Sequence, residues 1–317
     1  PSTDYIKHGV PEEYNQTTWC AEKAIEFIHE QKGDPWFFSY NCFAPHHPFD
    51  PPADFLAHYS PDELPLPKEK PGELETKTTY QQLDGEFAHN DPSSYDIARM
   101  TDRDKQEIIA AYYAMVELID KQVGRMVVAL EETGQLDNTI VIFMSDHGEM
   151  LGDHGFYLKG PHFYDEAVRV PLIFSWKERF AADLRADCLM ELIDIAPTLL
   201  EAASIEIPEY IQGRTMMPIL LGQTNASQHR DYVFSEYYNA WTHKHSYGSM
   251  LRTRDQKIVV YHGTDQGELY DLKNDPDEFE NLWSAREHAE LKLRLMKACF
   301  DASVFTMDPS PPRLGPF

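Results

Sequence analysis

The sequence predicts an α/β protein in which buried strands and flanking helices are followed by a small antiparallel sheet. Three observations lead to this prediction. The uninterrupted apolar run Thr139–Met144 is typical of a strand buried on both faces of a parallel sheet. A long stripe of apolar residues at helical spacing comes directly before that run. After about residue 230, the pattern changes to short strands separated by turns.

Helices and strands alternate in the first part of the chain. We expect helices over Thr17–Glu30, from Thr101 to just before Gly134, and over Leu189–Ala203, and strands over Trp36–Asn41, Thr139–Met144 and Val170–Ser175. Thr101–Asp104 has the form of a capping box, which marks the start of the second helix. The segment Phe49–Asp96 shows little periodicity, and we expect a long functional loop there.

The sequence pattern of the second part predicts a small antiparallel sheet followed by a helix. The predicted strands are Tyr232–Glu236, Met250–Arg254, Lys257–Tyr261 and Glu268–Tyr270, and the predicted helix is Ala285–Ala298. We therefore place a domain boundary near residue 230, with residues 1–229 forming the α/β part and residues 230–317 the small subdomain.

The charge and the cysteines exclude several classes of function. A formal net charge of -25 argues against nucleic-acid binding, which requires clustered Lys and Arg. An anionic substrate would need positive charge supplied locally by the site. The four cysteines form no CxxC pair, so they are expected to be structural thiols. The alternative that two of them form a disulfide stays open. No stretch is long and apolar enough to predict a membrane span.

Polar residues follow two of the predicted strands. Asp146 and His147 come directly after the run that ends at Met144, and Ala44-Pro-His-His-Pro48 follows the Trp36 strand. In open α/β sheets, ligands bind at the carboxyl ends of the strands. A carboxylate and an imidazole presented side by side at such an edge are candidate ligands of a divalent cation. The other interpretation is a solvated loop.

Several motifs together resemble the type I sulfatases, in the order in which that family carries them. They are Ala44-Pro-His-His-Pro48, Ser145-Asp-His-Gly-Glu-Met-Leu-Gly-Asp-His-Gly155, Lys159-Gly160, Tyr164-Asp-Glu-Ala-Val-Arg-Val-Pro171, Asp194-Ile-Ala-Pro-Thr198 and Glu268-Leu-Tyr-Asp-Leu-Lys-Asn-Asp-Pro276. The resemblance runs from about Trp36 to Leu282. It implies an alkaline-phosphatase-like α/β fold, with a mixed or parallel sheet flanked by helices and a small C-terminal antiparallel subdomain.

The resemblance also implies roles for individual residues. Asp146 and His147 correspond to ligands of the active-site cation, for which we favour Ca²⁺, the usual metal of the family, with Mn²⁺, the metal of phosphonate-hydrolase relatives, as the alternative. Lys159 corresponds to the lysine that contacts the sulfate oxygens. His46 corresponds to the histidine that touches the ester oxygen, and an imidazole there can protonate the leaving alkoxide. We expect His47, His154 and His162 to have structural or rim roles.

Two parts of the family pattern are absent from this sequence. None of the four cysteines lies in the Cys-x-Pro-x-Arg or Cys-x-Ala-x-Arg context that yields the formylglycine nucleophile, and no first strand ends in a metal-binding Asp-Asp pair. We therefore expect the chain to be the C-terminal part of a longer enzyme, inactive without its N-terminal segment or a companion chain.

The expected function is the release of sulfate from an organic sulfate ester, with a sulfated carbohydrate as the leading hypothesis for the substrate. The acidic loop Phe49–Asp96 and the aromatic segment Tyr237–His243 are candidates for selecting the alcohol. Two alternatives stay open. One is a phosphonate or phosphate ester hydrolase of the same superfamily, and the other is a non-catalytic truncated homologue.

Overall fold

The structure, a computed structural model, describes residues 6–31, 33–90, 99–239 and 246–307, without the side chains of residues 86–90. Its helices are α1 (Gln16–Glu30), α2 (Ala53–Leu56), α3 (Thr79–Asn90), α4 (Asp102–Glu132), α5 (Asp165–Val168), α6 (Ile195–Ala202), α7 (Met217–Leu220) and α8 (Ala289–Phe305). Its strands are β1 (Val141–Met144), β2 (Leu172–Ser175), β3 (Val233–Tyr238), β4 (Tyr247–Arg252), β5 (Gln256–Tyr261) and β6 (Gly267–Asp271).

The long helix α4 forms as its sequence predicts. The Thr101 hydroxyl accepts a hydrogen bond from the Asp104 N–H at 3.2 Å, and the Asp104 carboxylate accepts one from the Thr101 N–H at 2.8 Å. This reciprocal capping box satisfies amide groups that the first helical turn leaves without partners. The apolar stripe of α4 is buried, and Gly134 follows the helix with a φ of 69°.

The sheet that carries the first motif differs from the predicted parallel arrangement. β1 pairs antiparallel with β2, with Val141 opposite Ser175 and Met144 opposite Leu172. Met144 is 40% exposed and Ile173 is 59% exposed. The expectation of a strand with parallel neighbours and two buried faces is therefore wrong for the described residues, because an apolar run by itself does not specify the direction of its neighbour.

Two further expectations are corrected. The predicted strand Trp36–Asn41 has no regular structure and leaves Phe37 78% exposed, because none of the described strands pairs with it. The predicted loop from Phe49 to Asp96 contains the helices α2 and α3, and its last residues lie outside the described part. The helix expected over Leu189–Ala203 is shorter and follows a 3-10 turn at Leu192–Asp194.

The small C-terminal sheet is confirmed. Strands β3 to β6 pair antiparallel in sequence order, and α8 packs on one face of the sheet. The residues that bury this contact are Leu251, Ile258, Leu269, Leu295, Cys299 and Ala302. The division into two domains near residue 230 stays a prediction, although β3 begins close to it.

A buried lysine connects the small sheet to the rest of the chain. The side chain of Lys257, on β5, is fully buried. Its ammonium donates hydrogen bonds to the Phe163 carbonyl at 2.9 Å, to Asp165 at 2.6 Å and to Glu278 at 2.8 Å. Buried charges are tolerated when they are paired and hydrogen-bonded in this way. The sheet is thereby attached to the start of α5, shortly after Lys159.

All four cysteines are free thiols, as expected for structural residues. Among the described residues, no helix is both long enough and apolar enough to cross a membrane.

Candidate active site

The first candidate metal ligands lie in a tight turn after β1. The His147 N–H donates to the Asp146 carboxylate at 3.0 Å, and the Ser145 hydroxyl donates to the His147 carbonyl at 2.8 Å. Gly148 follows, and a Cβ on it would lie 1.9 Å from the Glu166 carbonyl oxygen. Glycine is therefore required where the turn packs against α5, and this contact holds Asp146 and His147 at the carboxyl end of β1.

The ring of His147 is oriented by its own backbone. Its Nδ1 lies 2.8 Å from the Gly148 carbonyl, which can only accept a hydrogen bond. In the neutral ring, Nδ1 therefore carries the hydrogen, and Nε2 keeps a lone pair. This is the state in which histidine binds a metal ion.

The residues Asp146 and His147 fit a cation site in part. The exposed carboxylate of Asp146 supplies charge, and the oriented imidazole of His147 supplies a second donor. Within the described ranges, no group of three or more His, Cys, Asp or Glu side chains is arranged to hold a metal ion. The assignment of these two residues as metal ligands therefore stays a prediction.

The two predicted catalytic residues lie in contact. The ammonium of Lys159 is 2.7 Å from Nε2 of His46. Nδ1 of His46 lies 2.8 Å from the His47 carbonyl and must donate to it, so Nε2 of the neutral ring accepts from Lys159. The His46 ring also lies edge-on to His147, with 5.9 Å between the ring centroids. His46, Lys159 and His147 therefore converge at one place.

The setting of Lys159 suits an anionic ligand. Lys159 is half-buried, and His46 is the polar partner that the structure describes for its ammonium. In a chain with a net charge of -25, a lysine without a described carboxylate partner is a local source of positive charge. A compact ammonium of this kind binds tetrahedral anions.

Two titratable residues close to His46 and Lys159, namely His47 and Glu149, have shifted pKa values. Burial is the main cause that lowers the pKa of His47, and its neighbours His46 and Lys159 lower it further. Burial raises the pKa of Glu149, and this rise is opposed by backbone hydrogen bonds from Leu151 and Leu158 and by the charge of Lys159. The sequence interpretation did not single out Glu149. The available signal was an acidic residue within the stretch Gly148-Glu-Met-Leu-Gly152, whose other residues are glycine or apolar.

The other two candidate histidines have structural positions. His154 is buried, contacts Glu73 through Nδ1 at 2.6 Å and stacks on Tyr164 at a centroid distance of 3.9 Å. His162 is buried and contacts Asp84 through Nε2 at 2.7 Å. Both therefore connect the glycine-rich loop (residues 148–160) and the residues just after it to the segment that contains α3.

The Asp194 motif is also structural. Its carboxylate is fully buried and accepts hydrogen bonds from the Arg230 guanidinium and from the Arg214 N–H. Burial acts to raise the pKa of Asp194, but the hydrogen bond from Arg230 and the backbone hydrogen bonds bring it below its usual value. Asp194, directly before α6, is thereby joined to Arg230, which lies shortly before β3. The aromatic segment Tyr237–His243 lies outside the described residues after Asn239.

Two family profiles match the chain. The sulfatase profile matches residues 3–205. The profile for the C-terminal part of N-sulphoglucosamine sulphohydrolase matches residues 152–303 and so includes the small sheet and most of α8. The two matches overlap across the turn that carries Lys159.

Individual relatives agree with these profiles. An arylsulfatase from Clostridium perfringens is 30% identical over 297 residues, which are 89% of this chain and 56% of the relative. An N-acetylglucosamine-6-O-sulfatase from Bacteroides thetaiotaomicron is 36% identical over 197 residues, which are 61% of this chain and 35% of the relative. The chain thus spans about half the length, or less, of the curated relatives it matches.

A solved structure shows the same fold. The phosphonate monoester hydrolase SpPMH from Silicibacter pomeroyi superposes with a TM-score of 0.85 at 26% identity, covering 95% of this chain and 62% of that one. The predicted alkaline-phosphatase-like architecture is therefore confirmed.

Proposed function

The chain belongs to the sulfatase family, and we propose that the protein hydrolyses a sulfate ester of an organic alcohol at the site formed by His46, Lys159, Asp146 and His147. The observation that carries the proposal is the 2.7 Å contact between the Lys159 ammonium and the His46 imidazole, next to His147. A cation for the non-bridging oxygens and an acid for the leaving oxygen are two of the groups that promote cleavage of such an ester.

Lys159 and His46 exchange partners when the ester binds. The ammonium of Lys159 turns from Nε2 of His46 to the sulfate oxygens, where it stabilises the charge of the transition state. Once Lys159 has turned away, Nε2 of His46 can take up a proton from solvent. Nε2 can then donate its proton to the departing alkoxide, while Nδ1 stays bonded to the His47 carbonyl.

Asp146 and His147 would hold a divalent cation, with Ca²⁺ favoured and Mn²⁺ as the alternative. Such a cation would supply Lewis-acid polarisation of the ester oxygens. The turn at Gly148 holds the two ligands, and the Gly148 carbonyl orients the His147 ring. We assign the nucleophile to a formylglycine supplied by residues upstream of this chain, so that this chain alone is inactive.

A sulfated carbohydrate is the proposed substrate class. The support is the 36% identity to an N-acetylglucosamine-6-O-sulfatase over 61% of the chain. The test is a panel of sulfated sugars together with small aryl sulfates. Turnover of the aryl sulfates without release of sulfate from any glycan would reject the carbohydrate assignment.

A phosphonate or phosphate ester hydrolase of the same superfamily is the second candidate. The observation that favours it is the likeness to the phosphonate monoester hydrolase, with a TM-score of 0.85. The third reading, a non-catalytic homologue, requires that the complete gene product also lacks a formylglycine motif.

One experiment separates these candidates. The complete gene product is assayed with the sulfate and the methylphosphonate esters of one aryl alcohol, with Ca²⁺, Mn²⁺ or a chelator present. We expect a higher kcat/KM for the sulfate ester, loss of turnover with the chelator, and no turnover by residues 1–317 alone. A preference for the phosphonate ester would establish the second candidate, and no turnover of either ester would favour the third.

A further inference from the structure

The carboxylate of Glu149 connects the start of the glycine-rich loop (residues 148–160) to its end. One carboxylate oxygen accepts hydrogen bonds from two backbone amides, that of Leu151 at 3.2 Å and that of Leu158. The Met150 N–H donates to the Leu158 carbonyl at 2.7 Å. Both backbone groups of Leu158 are therefore held by the residues that directly follow Gly148.

The two leucines have an unfavourable backbone conformation for their residue type. Leu151 has a φ of 49° and Leu158 a φ of 66°, in the left-handed region where a Cβ is crowded by the backbone. Such conformations persist only when the surroundings hold them. The Glu149 carboxylate is bonded to the amides of these two residues, and Lys159 is the next residue after Leu158.

We infer that Glu149 is a positioning residue, which holds the backbone of Leu158 so that Lys159 reaches Nε2 of His46 and the ester oxygens. This inference rests on the proposed function, because it concerns the same lysine. Glu149 itself accepts hydrogen bonds from the backbone amides of Leu151 and Leu158. Its effect on the reaction passes through Lys159.

The inference is tested by a double-mutant cycle in the complete gene product. Glu149→Ala removes the acceptor and is expected to lower kcat/KM by about 10- to 100-fold. Glu149→Gln keeps an oxygen that can accept both amide hydrogens, and its kcat/KM should stay within a few-fold of the wild type. In the Lys159→Ala background, Glu149→Ala should cause little further loss, because the two residues act as a unit.

Asp153→Ala is the matched control. Asp153 lies in the same loop, and its carboxylate also accepts a backbone hydrogen bond, but from Lys68 at 2.6 Å. The factor by which Asp153→Ala lowers kcat/KM should be the same in the wild type and in the Lys159→Ala background. Hydrogen exchange supplies a readout that does not depend on activity, since the Leu158 amide should exchange faster in Glu149→Ala and not in Asp153→Ala.

Each outcome assigns a cause. Any of three results would overturn the positioning role and leave the proposed function intact. The losses of kcat/KM in Glu149→Ala and Lys159→Ala could multiply in the double variant. Glu149→Gln could be as impaired as Glu149→Ala, or the exchange rate of the Leu158 amide could be unchanged. Wild-type kinetics in Lys159→Ala would instead reject the catalytic role of the lysine, and with it the role of Glu149.

Discussion

The Lys159 ammonium lies 2.7 Å from Nε2 of His46, although 113 residues separate the two in sequence. His46 lies in a loop after the Trp36 segment, and Lys159 lies in the loop after β1. The contact pairs a cation with a proton carrier beside His147, and the first two predictions test these roles separately.

Replacement of Lys159 by Ala should lower kcat/KM by about 10²- to 10³-fold, the cost of removing one preorganised group from a developing oxyanion. Thermal stability should change little, because the ammonium has no described carboxylate partner. The control is Lys177→Ala, which removes a surface lysine paired with Asp137 and should leave turnover unchanged. Near-normal kinetics in the Lys159 variant would reject its assignment.

Replacement of His46 by Ala should have an effect that depends on the leaving group. An acid that protonates the departing oxygen matters most for poor leaving groups such as sugar alkoxides, for which we expect a loss of about 10²- to 10⁴-fold. A nitrophenyl sulfate, whose leaving group needs little protonation, should lose much less. Equal losses on both substrates would show that His46 has another role.

Replacement of Gly160 by Ala should displace Lys159. Gly160 has a φ of 50°, and an added Cβ would lie 2.7 Å from the His162 ring and 2.8 Å from the Asp84 carboxylate. The backbone strain alone costs on the order of 1–3 kcal/mol of unfolding free energy. Because the close contacts add to this strain, urea denaturation should show a loss of unfolding free energy larger than the strain alone. The kcat/KM should fall as well.

The matched control for this substitution is Gly263→Ala. Gly263 has a φ of 78° but nothing within 4 Å of an added Cβ. This variant should show the strain alone, with kcat/KM unchanged. If the two variants were equally stable and equally active, the contact with the His162–Asp84 pair would have no role in holding the lysine.

Glu278 should make stability depend on pH. Burial raises the pKa of its carboxyl from 4.5 to about 7, and the attraction of Lys257 only partly opposes this rise. Because the folded pKa is the higher one, this group's contribution is fully present below about pH 4.5 and is lost as the pH rises through about 7. The total loss is at most roughly 3 kcal/mol.

The measurement for Glu278 is the unfolding free energy of wild type and Glu278→Gln across this range. The amide cannot titrate, so the variant should show a weaker decline between pH 4.5 and 7. Asp271→Asn serves as the control, since Asp271 is a half-buried carboxylate at the end of β6 whose pKa is lowered by a hydrogen bond from Asn274. Parallel curves for wild type and Glu278→Gln would assign the decline to other groups.

Local pattern was sufficient for the parts of the fold that local forces specify. The capping box at Thr101, the apolar stripe of α4 and the succession of short strands and turns from β3 to β6 depend on neighbouring residues, and each forms close to its predicted place. The family motifs likewise identified His46, Lys159, Asp146 and His147 as candidates, and the structure brings His46, Lys159 and His147 together, while the roles of all four stay predictions.

Tertiary structure decided what depends on partners distant in sequence. The Trp36 segment is apolar enough for a strand but has no described neighbour to pair with, and β1 has an antiparallel partner that its own residues could not specify. The contact of Lys159 with His46, and the hold of Glu149 on Leu158, arise only when separate turns pack together. The sequence by itself determined which residues could act, and packing determined which of them meet, because side-chain contacts across 113 residues depend on the whole fold.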